Sequence, residues 1–279
     1  MKIVSSLEEI RKVRKAATGS VGFVPTMGAL HEGHLALVQE AKKRAERVYC
    51  SIFVNPLQFG PSEDLSRYPR PFEEDVQKLR DLGVDVLFAP NVDEMTPAGA
   101  TVFVDEDPLT KPLCGMFRPG HFRGVATIVT KLFNLIRPDT ACFGEKDFQQ
   151  LRLIEKMSLE LNQGVEIIRV PTFREKDGLA LSSRNRYLSP EHRALAPFLH
   201  QTMVATREKI LKDHREGAPF KIALNEGRRA IDGNPAFRLQ YFEARDEEKL
   251  ELADGVSKPA RIFVAAYLGQ TRLIDNLRI

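Results

Sequence analysis

The sequence predicts an α/β protein built on a doubly wound parallel sheet, followed by a smaller α+β domain, and three observations predict it. Short β-forming apolar runs with little alternation recur through the first half, as in strands buried on both faces. Amphipathic helical segments separate these runs, which is the βαβ rhythm of a parallel sheet. After Pro171 the rhythm stops: a charged, Ser-containing loop gives way to long polar helices and then to strand-like runs. The expected division is 1–172, a Rossmann-like nucleotide-binding domain, and 173–279, a smaller C-terminal lid domain. Ligands of such sheets bind beyond the carboxyl ends of the strands.

Each element has its own signal. Ser6 followed by Glu9 reads as a capping box opening a helix to about Ala17. Val21 to Val24 reads as a strand that stops at Pro25 and turns at Gly28 and Gly33. From His34 to Arg47, Leu35, Val38, Ala41 and Ala45 fall near one helical face. Val48 to Val54 is the next buried strand. Helices near Phe72–Leu82, Gly124–Ile136 and Phe148–Leu161 alternate with strands at Val84–Phe88, Ala141–Phe143 and Val165–Val170. In the second domain, Pro190–Lys212 and Ala218–Asp232 read as helices, and Leu239–Ala244, Arg261–Tyr267 and Gly269–Arg278 as strands.

Composition narrows the class. The 279 residues are 43% hydrophobic and 28% charged, the balance of an ordinary globular protein. The net charge is only +3 and the basic residues are scattered, which disfavours nucleic acid as a partner. Met1 to Ala17 lacks the continuous apolar run of a signal peptide, and no segment suits a membrane, so a cytoplasmic location is expected. The three cysteines suggest no disulfide framework, because Cys50 and Cys142 lie in apolar runs.

Three segments carry the chemistry. In Met27-Gly28-Ala29-Leu30-His31-Glu32-Gly33-His34, two histidines stand three apart at a helix start, where both rings can face one point. The helix dipole and free backbone N–H groups favour an anion there. Zinc protease helices need His-Glu-x-x-His, and this spacing does not match. A pair of solvated surface histidines is the plain alternative. The second segment is Gly144-Glu145-Lys146-Asp147, where a buried strand turns into a helix. Lys146 suits a phosphate and Asp147 the hydroxyls of a ribose, although a solvated helix start is the usual reading of such a turn alone. The third is Leu181-Ser182-Ser183-Arg184, preceded by a stretch from Arg174 to Gly178 that reads as flexible. Its hydroxyls and guanidinium suit β and γ phosphates; in isolation Ser-Ser-Arg is ordinary loop sequence.

The segment Phe53-Val54-Asn55-Pro56-Leu57-Gln58-Phe59 and the run Arg118-Pro119-Gly120-His121-Phe122-Arg123-Gly124 look like substrate-side features, and the length of the loop from Pro56 to Arg70 favours a functional role over mere connection. Gln58 and Gln150 can each donate and accept, which fits a ligand with hydroxyl and carboxylate groups. For Arg118, Arg123 and His121, a dimer surface or a helix cap is an equal reading.

Taken together, Pro25-Thr26-Met27-Gly28 with His31-Glu32-Gly33-His34, Phe53-Val54-Asn55-Pro56, Arg118-Pro119-Gly120-His121-Phe122, Gly144-Glu145-Lys146-Asp147 and Ser182-Ser183-Arg184 resemble the pantothenate synthetase family, in order and in spacing. The family belongs to the nucleotidyltransferases with an H-x-G-H signature and joins pantoate to β-alanine at the expense of ATP. The resemblance implies that Met27 to His34 line the ATP site, with His34 and His31 catalytic together with Lys146 and Arg184. It implies that Gly144 to Asp147 hold the adenosine and a phosphate, that Phe173 lies near the adenine, and that Leu181 to Arg184 close on the triphosphate. Gln58 and Gln150, with Met27, match the pantoate ligands. Mg2+ accompanies the nucleotide, with Glu74 and Asp75 as the corresponding acidic pair, and a homodimer is implied. One departure is Leu113-Cys114-Gly115, where the family often has Leu-Glu-Gly. Rival readings are nucleotidyl transfer to a phosphate ester and an ATP-sensing module without turnover.

Overall fold

The computed structural model describes residues 1–61, 63–214, 219–255 and 257–279. The chain divides into two compact units. One comprises Met1–Thr110, Arg118–Glu145 and Gln150–Pro171; the other comprises Lys111–Phe117, Lys146–Gln149 and Thr172–Ile279.

In the first unit the strands are β1 (Lys2–Val4), β2 (Val21–Thr26), β3 (Arg47–Ile52), β4 (Val86–Phe88), β5 (Thr140–Gly144) and β6 (Glu166–Val170). All pairings are parallel, in the order β1-β4-β3-β2-β5-β6. The helices are α1 (Leu7–Ala16), α2 (Glu32–Arg44), α3 (Phe72–Asp81), α4 (Val92–Met95), α5 (Cys114–Phe117, of the second unit), α6 (His121–Ile136) and α7 (Phe148–Glu160, its first two residues of the second unit). This is the doubly wound fold the periodicity predicts. Its core includes Val24, Leu30, Val38, Ala41, Cys50, Val76, Leu87 and Cys142. Burial pushes the Cys50 thiol strongly up and the Cys142 thiol up to about 12, so both are inert apolar filler rather than nucleophiles.

Strand order decides where a ligand goes. From β2 the chain proceeds outward through β3 to β4, and β5 then pairs on the other side of β2. The turns leaving β2 and β5 therefore diverge from a topological switch point, the crevice where such sheets bind ligands. β2 and β5 pair only at Gly22–Phe23 with Thr140–Ala141, so their carboxyl ends separate.

In the second unit, β7 (Phe237–Asp246), β8 (Ala260–Leu268) and β9 (Thr271–Arg278) form an antiparallel sheet in that order. The central strand β8 is buried at every position but Tyr267. The helices α8 (Pro190–Leu195), α9 (Phe198–His214) and α10 (Phe220–Asp232) accompany it. Met203, Phe220, Phe242, Ile262 and Val264 share one core.

Differences from expectation have local causes. The helix expected over Pro190–Lys212 is two helices, because Pro197 brings no N–H and its ring obstructs the preceding turn. α6 begins at His121 rather than Gly124, entered through Gly120 in a left-handed conformation (φ 80°). The capping box at Ser6 is present, with Ser6 Oγ accepting from Glu9 N–H and Glu9 accepting from Ser6 N–H. β1 carries no signal in a three-residue run.

Candidate active site

In the first unit, the turn leaving β2 is built by side chains beneath it. Thr26 Oγ1 donates to the Ser51 carbonyl (2.7 Å) and accepts from Gly28 N–H (3.1 Å). Gly28 (φ 79°) and Ala29 (φ 50°) are both left-handed, and a Cβ at position 28 would meet Asp75 Oδ2 at 3.0 Å and Ile52 Cγ2 at 3.1 Å. A left-handed alanine costs about 1–2 kcal/mol, so something must hold it. Asp75, 1% exposed on α3, does this: its carboxylate accepts from Ala29 N–H and Leu30 N–H, each at 2.7 Å. Lys78, one helical turn on, donates to the Leu30 carbonyl at 2.8 Å.

This arrangement bears on two expectations. The amides of Ala29 and Leu30 are spent on Asp75 and both residues are buried, so they shape the turn instead of presenting free donors to an anion. The acidic pair Glu74–Asp75 does not converge as a metal site: Asp75 lies under the turn with both oxygens accepting backbone N–H groups, while its neighbour Glu74 is exposed. Among the described residues no group of three or more His, Cys, Asp and Glu side chains is arranged to hold a metal ion.

Beyond the turn, His31 caps α2 and His34 occupies its first turn, with ring centroids 4.1 Å apart at 35°. His31 N–H points to His34 Nδ1 at 3.4 Å, which assigns the proton of a neutral His34 ring to Nε2. Two half-exposed imidazoles thus stand together at the positive end of α2, where anions are stabilised.

Met27, at the start of the same turn, meets the loop that follows β3. Gln58 Nε2 lies 3.1 Å from Met27 Sδ, and Asn55 Nδ2 donates to Gln58 Oε1 at 3.0 Å. Asn55 is 2% exposed and also donates to the Gly124 carbonyl at 3.0 Å. Gly124 is required there, because a Cβ would stand 2.3 Å from the Leu57 carbonyl oxygen. The Gln58 carbonyl is gripped by Arg118 (3.2 Å) and His121 Nδ1 (2.9 Å). Arg118 forks onto Glu63 at 2.8 and 2.6 Å. Burial works to raise the Glu63 pKa, but the Arg118 hydrogen bond and charge outweigh it and hold the carboxyl below its ordinary value. Arg118 and His121, left open between site and structure, serve to fix Gln58. Arg123 stacks instead on the Phe103 ring, 4.1 Å from its centroid. Gly144, Glu145 and Gln150 are half-buried in the same unit.

In the second unit, Lys146 is half-buried with Nζ 3.6 Å from Asp147 Oδ1. The stretch 174–178, expected to be flexible, forms a hydrogen-bonded hairpin: Arg174 bridges to Ala180, Leu181 N–H donates to the Phe173 carbonyl at 3.0 Å, and Arg193 pairs with Glu175 and Asp177. Phe173 leaves 46% of its surface exposed at the hairpin base. Ser182 caps the turn Ser183–Tyr187 by accepting from Arg184 N–H at 3.3 Å, with Ser183 buried and Arg184 half-buried. Cys114, where the resemblance leads to a carboxylate, packs 3.2 Å from Tyr241 Oη and accepts from Arg272 at 3.4 Å.

The family model described as Pantoate-beta-alanine ligase matches residues 2–278. The chain belongs to the pantoate–beta-alanine ligase family. It is 51% identical to the pantothenate synthetase of Laribacter hongkongensis, covering 100% of this chain and 99% of the relative. It is 47% identical to pantothenate synthetase 1 of Bradyrhizobium diazoefficiens over 99% and 98% of the two chains. The crystal structure of the pantothenate synthetase from Thermus thermophilus superposes with a TM-score of 0.92 at 48% identity, covering 99% of each chain. The Francisella tularensis pantoate–beta-alanine ligase, solved complexed with beta-gamma ATP and beta-alanine, superposes with a TM-score of 0.78 at 34% identity, covering 100% of this chain and 97% of that one.

Of the family residues named from sequence, the structure brings together His31 with His34 and Met27 with Gln58. It separates Glu74 from Asp75. The part played by Asp75 in holding the turn was not legible, because an acidic residue in the first turn of a helix ordinarily complements that helix's own dipole.

Proposed function

We propose that this chain is an ATP-dependent ligase that condenses (R)-pantoate with β-alanine to form pantothenate, releasing AMP and pyrophosphate. A pantoate carboxylate oxygen attacks the α-phosphorus of ATP; an oxygen–phosphorus bond forms, the bond to pyrophosphate breaks, and pantoyl adenylate remains. The β-alanine amine then attacks the acyl carbonyl, loses a proton, and AMP departs with the bonding electrons. No enzyme nucleophile is required, since positioning and charge stabilisation carry such reactions.

The observation that carries this reading is the β2 turn itself. One end of it presents Met27 against Gln58, and the other presents the paired rings of His31 and His34. A carboxamide suited to a hydroxy acid and a helix N-terminus suited to phosphate therefore stand at the two ends of one short segment. His34 Nε2–H serves as a donor to phosphate oxygens as charge builds in the transition state. Gly144 to Asp147 hold the nucleotide, Phe173 lies against the adenine, and Lys146 with Leu181 to Arg184 neutralise the triphosphate. Gln150 joins Gln58 as a pantoate ligand. Residues 1–172 act as the nucleotide- and pantoate-binding domain and 173–279 as its lid.

Magnesium enters this reading as the companion of the nucleotide's phosphates. The Glu74–Asp75 pair does not fit it, because the Asp75 oxygens are committed to the backbone, and no step is assigned to the ion through these residues. A homodimer and a cytoplasmic location complete the proposal. No helix among the described residues is long and apolar enough to cross a membrane. Pyrophosphate release with and without pantoate tests the assignment: release that depends on pantoate supports it. Release on a phosphate ester acceptor, or ATP binding without release, points to the two rivals.

A further inference from the structure

β9 carries two adjacent buried polar residues that the reaction scheme leaves unused. Asp275 is 7% exposed and Asn276 is 3% exposed. Neighbours on a strand point to opposite faces, so such a pair can hold two different segments at once. Asn276 Nδ2 donates to the Lys146 carbonyl at 3.0 Å, and Arg261 Nη1 secures the amide by donating to Asn276 Oδ1 at 2.8 Å. Arg261 is itself fixed, with its guanidinium 4.1 Å above the Phe148 ring and Nε on Glu247 at 2.8 Å. Asp275 takes the fork of Arg174 at 2.6 and 2.8 Å, and Arg174 also donates to the Gly178 carbonyl at 3.0 Å, closing the hairpin that leads into Ser182–Arg184. Asp275 Oδ1 turns back to accept Asn276 N–H at 2.7 Å, and His200 Nδ1 stands 3.5 Å from Oδ2. All these residues lie in the second unit.

We propose that Asp275 and Asn276 are positioning residues for adenylate formation, setting from one strand the backbone that carries Lys146 and the hairpin that carries Ser182 to Arg184. The inference rests on the reading of those residues as phosphate ligands. Both segments then share a single rigid reference, so the cations of the two loops keep a fixed spacing. A bidentate Arg–carboxylate pair suits this task because it fixes orientation as well as distance.

The step affected is the one that handles the triphosphate. β-Alanine attack on an adenylate already formed involves no pyrophosphate, so it should be spared. Asn276→Asp keeps the shape and the Arg261 contact while replacing the donor to Lys146 with an oxygen. Arg174→Lys keeps the charge but removes the fork. Each variant is expected to lower kcat for pantoate-dependent pyrophosphate release by on the order of tenfold, the scale of one hydrogen bond lost in the transition state. KM for pantoate and the rate at which β-alanine consumes supplied pantoyl adenylate should stay within about twofold, a split that a general loss of structure does not produce. Asn276→Gln, which can still reach the carbonyl with an amide, should recover part of the loss. Folded variants that release pyrophosphate at the unaltered rate overturn the proposal, as do variants that slow both half-reactions equally or fail to fold. If the unaltered chain shows no pantoate-dependent release, the ligase reading falls first; if it does and both variants match it, only this inference falls.

Discussion

At the scale of single residues, the site separates groups that act on a ligand from groups that hold the actors. In the proposed reaction His34 is of the first kind: its ring lies against His31 at the helix start, and its Nδ1 is turned to the backbone. Removing one transition-state donor costs roughly 3 kcal/mol, so His34→Ala should slow pyrophosphate release on the order of a hundredfold or more with thermal unfolding unchanged. Near-normal adenylation by that variant would remove His34 from the chemistry. Asp75 is of the second kind. Asp75→Asn leaves one acceptor where two are needed and sets an amide N–H against a backbone N–H, an arrangement that costs about 1–3 kcal/mol. The expected signature is a lowered midpoint in urea with an unchanged magnesium requirement. A raised magnesium requirement at unchanged stability would restore Asp75 as a metal ligand.

At the scale of elements, α6 and the Pro56–Gln58 turn are locked by a close approach. Gly124→Ala drives a Cβ to 2.3 Å from the Leu57 carbonyl oxygen, and backbone cannot yield as a side-chain tip does. Overpacking of this kind costs about 1–3 kcal/mol, and the displacement falls on the turn carrying Gln58. The variant should therefore raise KM for pantoate more than KM for ATP, as steady-state kinetics with each substrate varied would show; equal changes would mean that Gln58 does not contact pantoate. The strands and helices around this contact were legible because buried parallel strands and amphipathic helices leave unmistakable periods, as at Val21–Val24 and Leu35–Ala45. The clamp itself was not. Nothing local in sequence says that Asn55 bonds Gly124, sixty-nine residues away, or that Arg118 grips Glu63 and the Gln58 carbonyl. The histidine pair was legible for the opposite reason: a three-residue spacing at a helix start fixes its geometry locally. The break at Pro197 shows that polar periodicity over a long stretch does not overrule a proline.

At the scale of the whole molecule, electrostatics and chemistry bind these parts to testable behaviour. Asp275 is buried, which raises its pKa, yet the His200 ring beside it and the hydrogen bonds and charge of Arg174 outweigh this and depress it. Glu63 is depressed through Arg118 in the same manner. A carboxyl with a folded pKa below its unfolded value stabilises the fold at pH above about 4, and that contribution is lost as pH falls through the folded value. Thermal midpoints should thus hold steady from neutral pH to mildly acid conditions and drop steeply below the ordinary carboxylate range, with a shallower drop in Asp275→Asn. Equal slopes for the two proteins would contradict the assignment. The central claim is that a pantoate oxygen attacks the α-phosphorus, and labelling that oxygen tests it most directly. With pantoate carrying oxygen-18 in its carboxylate, mass spectrometry of the products should find one labelled oxygen in AMP for each pantothenate formed. AMP free of label, or the appearance of ADP and labelled phosphate in its place, would contradict the account.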